Sequence, residues 1–393
     1  MRPEIPFIGI VLVMFVAACS SSSAHTGNNT PNPDANITPM NIPAIAKPLQ
    51  CAQGGSSERA GTFVQSDGAH FTYDHKPLQL NGYTFYPGGA GGTAAWRSTQ
   101  FTQYIDSMIA LGAQAGQNLI RPTDFWDKSD TAQQVEDPTI WHNLDYTVCA
   151  ARAHGMFVVM DVSAYKWLLM SHGQDPTNAN LWQTFLVAVA DHYRNEPSIA
   201  FYSISGEPDP PKTAEATQQL VSFYHTLTDT LYAADPNHLI TAGGFNHMEE
   251  ETPQTPWWHQ IYALPHNDIA GFKTYSQHDL SLMPAIGHYA QSIHKIAFDD
   301  EFGMPQGQGD ADFTGGAPYN QITTGRAQFF DNVYSTGQGL GVGGFVFWNM
   351  GCQVQDSSFE VSPLTPAVWQ AIINHAAVSP TGNADICQQA SGL

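Results

Sequence analysis

"DPTIWHNLDYTVCAARAHGMFVVMDVS", residues 137–163, carries the pattern on which the fold turns. Its first part reads as a helix, with Pro138 in the first turn and Gly155 at the end. From Met156 to Ser163 the chain becomes an apolar run with Asp161 near its end. A strand that is hydrophobic at successive positions is buried on both faces, as in a parallel sheet covered by helices.

The same alternation extends outward in both directions. Ahead of it, "STQFTQYIDSMIALGA" (98–113) has helical spacing behind a Ser98/Thr99 cap, and "GQNLIRP" (116–122) reads as a strand. Earlier still, "TFVQSDGAHFTYDHKPLQLNGYTFYP" (62–87) holds short β-rich runs with Asp67-Gly68 as a hairpin turn. Beyond it come strands at 198–206, 238–243, 268–275, 295–301 and 342–349. Helices are expected at 179–193, 213–233, 256–262, 281–293, 320–336 and 365–376. With the strand near 78–86 this makes eight strands, each followed by a helix. A doubly wound sheet needs a phosphate loop after its first strand, and "PGGAGG" at 87–92 lacks that spacing. The expected fold is therefore a (β/α)8 TIM barrel over residues 59–393, opened by a short N-terminal β-hairpin.

Composition narrows the class. The 393 residues carry 14 Lys+Arg against 35 Asp+Glu, a net charge of −21, which leaves no basic surface for nucleic acid. Aromatic content is 11% and charged content only 12%, a balance that suits neutral, hydroxyl-rich ligands such as sugars. Arg2 precedes an apolar run from Ile5 to Ala18, too short for a membrane span and fitting a signal segment. The run ends Val16-Ala17-Ala18-Cys19, which resembles the lipobox of bacterial lipoproteins. Residues 1–19 are thus expected to be a lipoprotein signal with Cys19 lipidated, plain secretion being the alternative. Either way the protein is extracytoplasmic, and a lipid anchor is its one expected membrane contact.

Residues 20–58 are expected to form a disordered tether rich in Ser, Asn and Pro. Cys51, Cys149, Cys352 and Cys387 allow three disulfide connectivities, with Cys149 alternatively a plain core thiol. Neither they nor the 16 His show a metal-ligand spacing.

Barrel chemistry sits where the strands end. Those ends carry Tyr86, Arg121, Asp161, Glu207, Gly243, Tyr275, Glu301 and Trp348. In "FYSISGEPDPP" (201–211) an apolar strand ends on Glu207 and breaks into prolines. A carboxylate at such a rim is costly unless hydrated, paired or used. Two glutamates facing each other across a barrel mouth are what glycoside hydrolysis requires, one protonated and one ionised.

With these residues in view, the chain resembles the clan A retaining glycoside hydrolases, most nearly family 5, the cellulase and β-mannanase family. The resemblance runs from about residue 60 to 376. It rests on "GAHFTYDHKPLQLNGYTFYP" (68–87), "NLIRP" (118–122), "IAFYSISGEP" (199–208), "KIAFDDEFG" (295–303) and "GGFVFWNMG" (343–351), in that order. It implies that Glu207 is the acid/base, Glu301 the nucleophile, and that no cofactor is needed. It also implies that Arg121 holds the nucleophile ionised, Tyr275 donates to it, and Trp348 floors the sugar.

Two departures fall in the sugar pocket: Gly206 stands where the family has Asn, and Lys273 where it has His. Gly206 is expected either to leave volume for a different 2-position or to serve a backbone conformation that excludes a Cβ. Trp96, Trp126, Trp167, Trp257 and Trp258 are candidates to line the cleft, Trp96 being taken as a substrate contact. Glu249, Glu250 and Glu251 read as a solvated acidic loop. The expected activity is hydrolysis of a β-glycan, mannan or β-glucan. Rival readings are transglycosylation on the same scaffold and a non-catalytic glycan-binding protein. Strand alternation sends Asp300 toward the helices.

Overall fold

The computed structural model describes residues 42–51, 62–87, 92–126, 137–246, 248, 256–306, 325–352, 358–381 and 386–387. Eight strands form one sheet: β4 (Leu80–Phe85), β5 (Leu119–Pro122), β6 (Phe157–Asp161), β7 (Ile199–Ser203), β8 (Leu239–Thr241), β9 (Ile269–Thr274), β10 (Ile296–Phe302) and β11 (Gly344–Phe347). Their order is β8-β7-β6-β5-β4-β11-β10-β9, every neighbouring pair parallel.

The two end strands meet and close the ring through main chain and side chains together. Asp268 N–H donates to Ile240 O (2.8 Å), and Ile240 N–H returns to Asp268 Oδ2 (3.0 Å). Ala242 N–H donates to Asn267 Oδ1 at 2.7 Å, and above it Lys273 N–H donates to Phe245 O at 2.9 Å. The result is the expected (β/α)8 barrel.

Side-chain alternation divides the core into two layers. Leu119, Phe157, Val159, Phe201, Phe298 and Val346 point inward and pack as one cluster. Ile120, Val158, Met160 and Tyr202 point outward and pack under the helices. The helices start where short polar side chains take up free N–H groups. Asp137 accepts from Thr139 N–H ahead of helix Pro138–Ala153, and Thr213 accepts from Ala216 N–H ahead of helix Ala214–Ala234.

Ahead of the barrel, β1 (Gln65–Ser66), β2 (Phe71–Tyr73) and β3 (Lys76–Leu78) form an antiparallel sheet. Asp67 Oδ1 accepts from Ala69 and His70 N–H to make the turn, with Gly68 at φ 95°. Phe71 stacks on Phe201 and meets Phe298 edge-on, both at 5.8 Å, so the hairpin closes the end of the barrel where the strands begin. That leaves the opposite end as the mouth.

Three expectations change, and the open cysteine pairing is resolved to one of its three connectivities. Residues 42–51, assigned to the tether, pack onto the barrel, with Ile42 and Ile45 buried and Leu49 N–H bonded to His192 O at 2.7 Å. Cys51 pairs with Cys149, which is therefore no free core thiol, and Cys352 pairs with Cys387. A helix at Tyr165–Ser171, absent from the expected set, follows β6. Helix Gln277–Ser292 begins four residues earlier than 281, because Ser276 caps it through Asp279 N–H and Pro284 falls inside. Among the described residues no helix is long and apolar enough to cross a membrane. Cys19 lies outside them.

Candidate active site

The alternation that puts Leu119 inside the barrel puts Arg121 inside as well, one layer nearer the mouth. In β6 it does the same for Asp161. Arg121 Nε and Nη2 reach Asp161 Oδ2 at 2.8 and 2.6 Å. Asp161 Oδ1 accepts from Ser163 N–H at 2.8 Å, and Thr123 Oγ1 donates to Oδ2 at 3.3 Å. A buried ion pair stabilises only when its remaining lone pairs are satisfied, and here they are. The guanidinium is thereby aimed, and its Nη1 meets Glu301 Oε2 at 2.6 Å.

Strand β10 does not alternate simply. Asp299 is opposite Phe272 and Glu301 opposite Lys273, so Asp300 is an extra residue in a β-bulge. The bulge turns two successive carboxylates inward, which corrects the expectation that Asp300 faces the helices. Asp300 Oδ2 accepts from Gly244 N–H at 3.1 Å and lies 3.7 Å from Arg121 Nη2. Asp299 is the one that faces outward, toward Tyr334 of helix Arg326–Gly339, and burial pushes its carboxyl far above the usual range.

Glu301 is held from three directions. Besides Arg121, Tyr275 donates its hydroxyl to Oε1 at 2.5 Å, and Lys273 Nζ lies 3.0 Å from Oε2. Burial acts to raise its pKa, but Lys273 and Arg121 with the Tyr275 hydrogen bond outweigh it and bring the value down to about 2. Glu301 is therefore an ionised carboxylate.

Glu207 sits at the rim with φ 53°, and its side chain is 28% exposed. Its own N–H donates to Gly244 O at 3.0 Å. Tyr224 from the following helix bonds Ser205 O at 2.5 Å and steadies the approach. Lys273 Nζ lies 3.1 Å from Glu207 Oε1 as well as 3.0 Å from Glu301 Oε2. One nitrogen meeting both oxygens keeps those two oxygens at most about 6 Å apart and draws the two carboxylates together across the mouth.

Gly206 answers to packing. A Cβ there would fall 2.9 Å from Gly244 O, and one on Gly243 (φ 130°) would fall 2.5 Å from Gly206 N. The ends of β7 and β8 meet main chain to main chain, so the space of the missing side chain is filled rather than offered to a sugar. Lys166 Nζ donates to Gly206 O at 2.9 Å.

The aromatics sort cleanly. Trp348 is half-buried at the mouth and stacks on Tyr86 at 5.4 Å. Trp96 is 0% exposed and wedged among Phe85, Phe101 and Phe125, which corrects its assignment as a substrate contact. Trp126, Trp257 and Trp258 are also buried, and Trp167 stays partly open. Glu249, Glu250 and Glu251 lie outside the described residues.

Asp124, Lys166 and the inward turn of Asp300 are site features the sequence did not single out. Asp124 adopts φ 55°, and burial with Asp161 and Glu301 nearby pushes its carboxyl up to about 7. Among the described residues no group of His, Cys, Asp and Glu is arranged to hold a metal ion.

The model of the cellulase family, glycosyl hydrolase family 5, matches residues 72–310. The chain belongs to glycosyl hydrolase family 5. Within that family it is similar to mannan endo-1,4-beta-mannosidase 5 of Arabidopsis thaliana, 24% identical over 46% of this chain and 48% of that one. It is also similar to the probable mannan endo-1,4-beta-mannosidase F of Aspergillus flavus, 23% identical over 46% of this chain and 44% of that one. The chain thus matches about half the length of these curated relatives. The fold is similar to that of an endo-1,4-beta-D-mannanase from Thermotoga petrophila RKU-1, with a TM-score of 0.57 at 15% identity over 76% of this chain and 99% of that one. A beta-glucanase from Saccharophagus degradans has a TM-score of 0.54 at 16% identity, over 84% of this chain and 98% of that one.

Proposed function

We propose that this family 5 protein is a retaining β-glycoside hydrolase acting on a β-linked glycan, mannan or β-glucan, by double displacement. The observation that carries this is the pairing of an ionised, thrice-held Glu301 with a rim-exposed Glu207 across a single lysine. In the first step Glu301 attacks the anomeric carbon, the glycosidic bond breaks, and Glu207 gives its proton to the departing oxygen. In the second step Glu207 takes a proton from water, whose oxygen displaces Glu301. Trp348 offers an aromatic face under the sugar. The similarity to mannan endo-1,4-beta-mannosidases favours mannan.

Trapping tests it. A 2-deoxy-2-fluoro β-mannoside or β-glucoside with a dinitrophenyl leaving group should label Glu301, and the first-formed product should retain the β anomer. Glu301→Gln should abolish turnover with the fold intact, and Glu207→Gln should spare activated leaving groups in the first step. An α first product, or labelling elsewhere, would overturn the assignment.

We further propose export and lipid anchoring, on the strength of Arg2, the run from Ile5 to Ala18, and Cys19. Cys19→Ala should then shift the protein out of the membrane fraction, since stable anchoring needs more than one acyl chain. Unchanged membrane association would refute the lipobox.

A further inference from the structure

The retaining reading uses Lys273 as one of three groups that hold Glu301, and leaves its second contact, to Glu207, without a role. Lys273 is the last residue but one of β9, its N–H fixed to Phe245 O at 2.9 Å, and its side chain is 5% exposed. We propose that Lys273 is the shared counterion of the reaction, stabilising the negative charge on whichever of Glu207 and Glu301 carries it. This rests on the retaining mechanism proposed above.

The argument follows the charge. When Glu301 bonds to the anomeric carbon its negative charge is consumed, and the proton passing from Glu207 to the leaving oxygen makes a new one on Glu207. Hydrolysis reverses this: the bond to Glu301 breaks and returns its charge, while Glu207 gains a proton from water. One charge crosses from one carboxylate to the other and back.

Arg121 and Tyr275 hold Glu301, at 2.6 and 2.5 Å. Alone, they favour charge on the nucleophile and oppose the first step. Lys273 is different, because its two distances are 3.1 and 3.0 Å. Coulomb attraction at equal separation is equal. The charge can therefore move without forfeiting its cation, and Glu207 is stabilised as its proton departs.

The other charged groups around the pair fit. Asp161 and Asp300 are committed to Arg121, and Asp300 also to Gly244. Asp124 is raised toward its neutral form, chiefly by burial. Lys166 faces Glu207 from the helix after β6, but its ammonium is bonded to Gly206 O. Among the described residues Lys273 is the only cation in contact with both glutamates.

The test compares Lys273→Met with Lys273→Arg on two matched substrates, an oligosaccharide whose departing oxygen needs a proton and a dinitrophenyl glycoside whose does not. For Lys273→Met we expect kcat/KM to fall at least about tenfold further on the oligosaccharide than on the activated glycoside, because only the oligosaccharide builds charge on Glu207. Lys273→Arg should recover most of the loss. With added azide, Lys273→Met should form no glycosyl azide, because Glu207 still serves as base in the second step. Should Lys273→Met fail to fold, Lys273→Gln, polar but uncharged, carries the same expectation.

Equal losses on both substrates would make Lys273 a sugar-binding or structural group and overturn the proposal. So would a glycosyl azide, the product expected if Lys273 only holds Glu207 in place. If the wild type cleaves no β-glycoside and Glu301 is never labelled, the glycosidase reading itself fails and this inference falls with it.

Discussion

Placing a side chain on Gly206 is the perturbation whose size can be worked out most directly. A Cβ there would lie 2.9 Å from Gly244 O, where ordinary contact begins at 3.4 Å, so about half an ångström must be made up. Neither partner moves freely. Gly244 O accepts the Glu207 N–H at 3.0 Å, and Gly244 N–H is bonded to Asp300 Oδ2 at 3.1 Å. Overpacking of this kind costs about 1–3 kcal/mol of stability. The displacement also falls on Glu207, and misplacing a catalytic group by an ångström costs about a hundredfold, so half of that should cost about tenfold.

We therefore expect Gly206→Ala to lower the urea midpoint and to reduce kcat/KM about tenfold on β-mannosides and β-glucosides alike. Their 2-deoxy analogues should lose as much, because the 2-hydroxyl is not involved. Gly206→Asn should be worse, despite restoring the residue the family uses. The reasoning fails if Gly206→Ala matches wild type in both measurements, or if Gly206→Asn raises activity severalfold.

Three further outcomes follow from other parts of the molecule. Glu301, brought from 4.5 to about 2, should stay ionised until pH falls through about 2, so the acid limb of kcat/KM should lie well below the usual carboxylate range. Arg121→Met removes one of its cations and should move that limb to higher pH; an unmoved limb would assign it to another group. The same depressed pKa contributes stability that is present above 4.5 and lost as pH falls toward 2. The stability gap between wild type and Glu301→Gln should therefore shift in favour of the variant over that window, as read by urea unfolding at several pH values. Replacing both Cys51 and Cys149 by Ser opens a link across 98 residues and should cost about 2–5 kcal/mol, more than opening Cys352–Cys387 across 35; the reverse order would mean that strain or residual structure outweighs chain entropy.

What the sequence made legible was what periodicity encodes. Apolar runs and helical spacing placed all eight barrel strands, and strand ends picked out Arg121, Glu207, Tyr275, Glu301 and Trp348. Periodicity also produced the misreading of Asp300, since a bulge inserts one residue into the count and leaves no local mark in "FDDEF". The Gly206 contact was equally hidden, because the partner that excludes a side chain, Gly244, comes from the next strand. Trp96 looked like a ligand platform because it follows a strand end, a position that does not tell which way the ring faces. Lys273 was seen as a departure from the family pattern, but its reach to both glutamates depends on where three strands end.

The closure between β8 and β9 adds a mechanical side to the chemistry. The ring of strands is joined there by Asp268, Asn267 and the Phe245 main chain rather than by a regular ladder. Glu207 stands on one side of that join and Lys273 with Glu301 on the other, so the ion pairs that prepare the reaction also act as its clasp. Exchanging these residues to alter what the enzyme accepts would loosen the hoop that holds them. Segments that cross no join, such as the helix bearing Lys166 and Trp167, are where new specificity can arise at least cost to the scaffold.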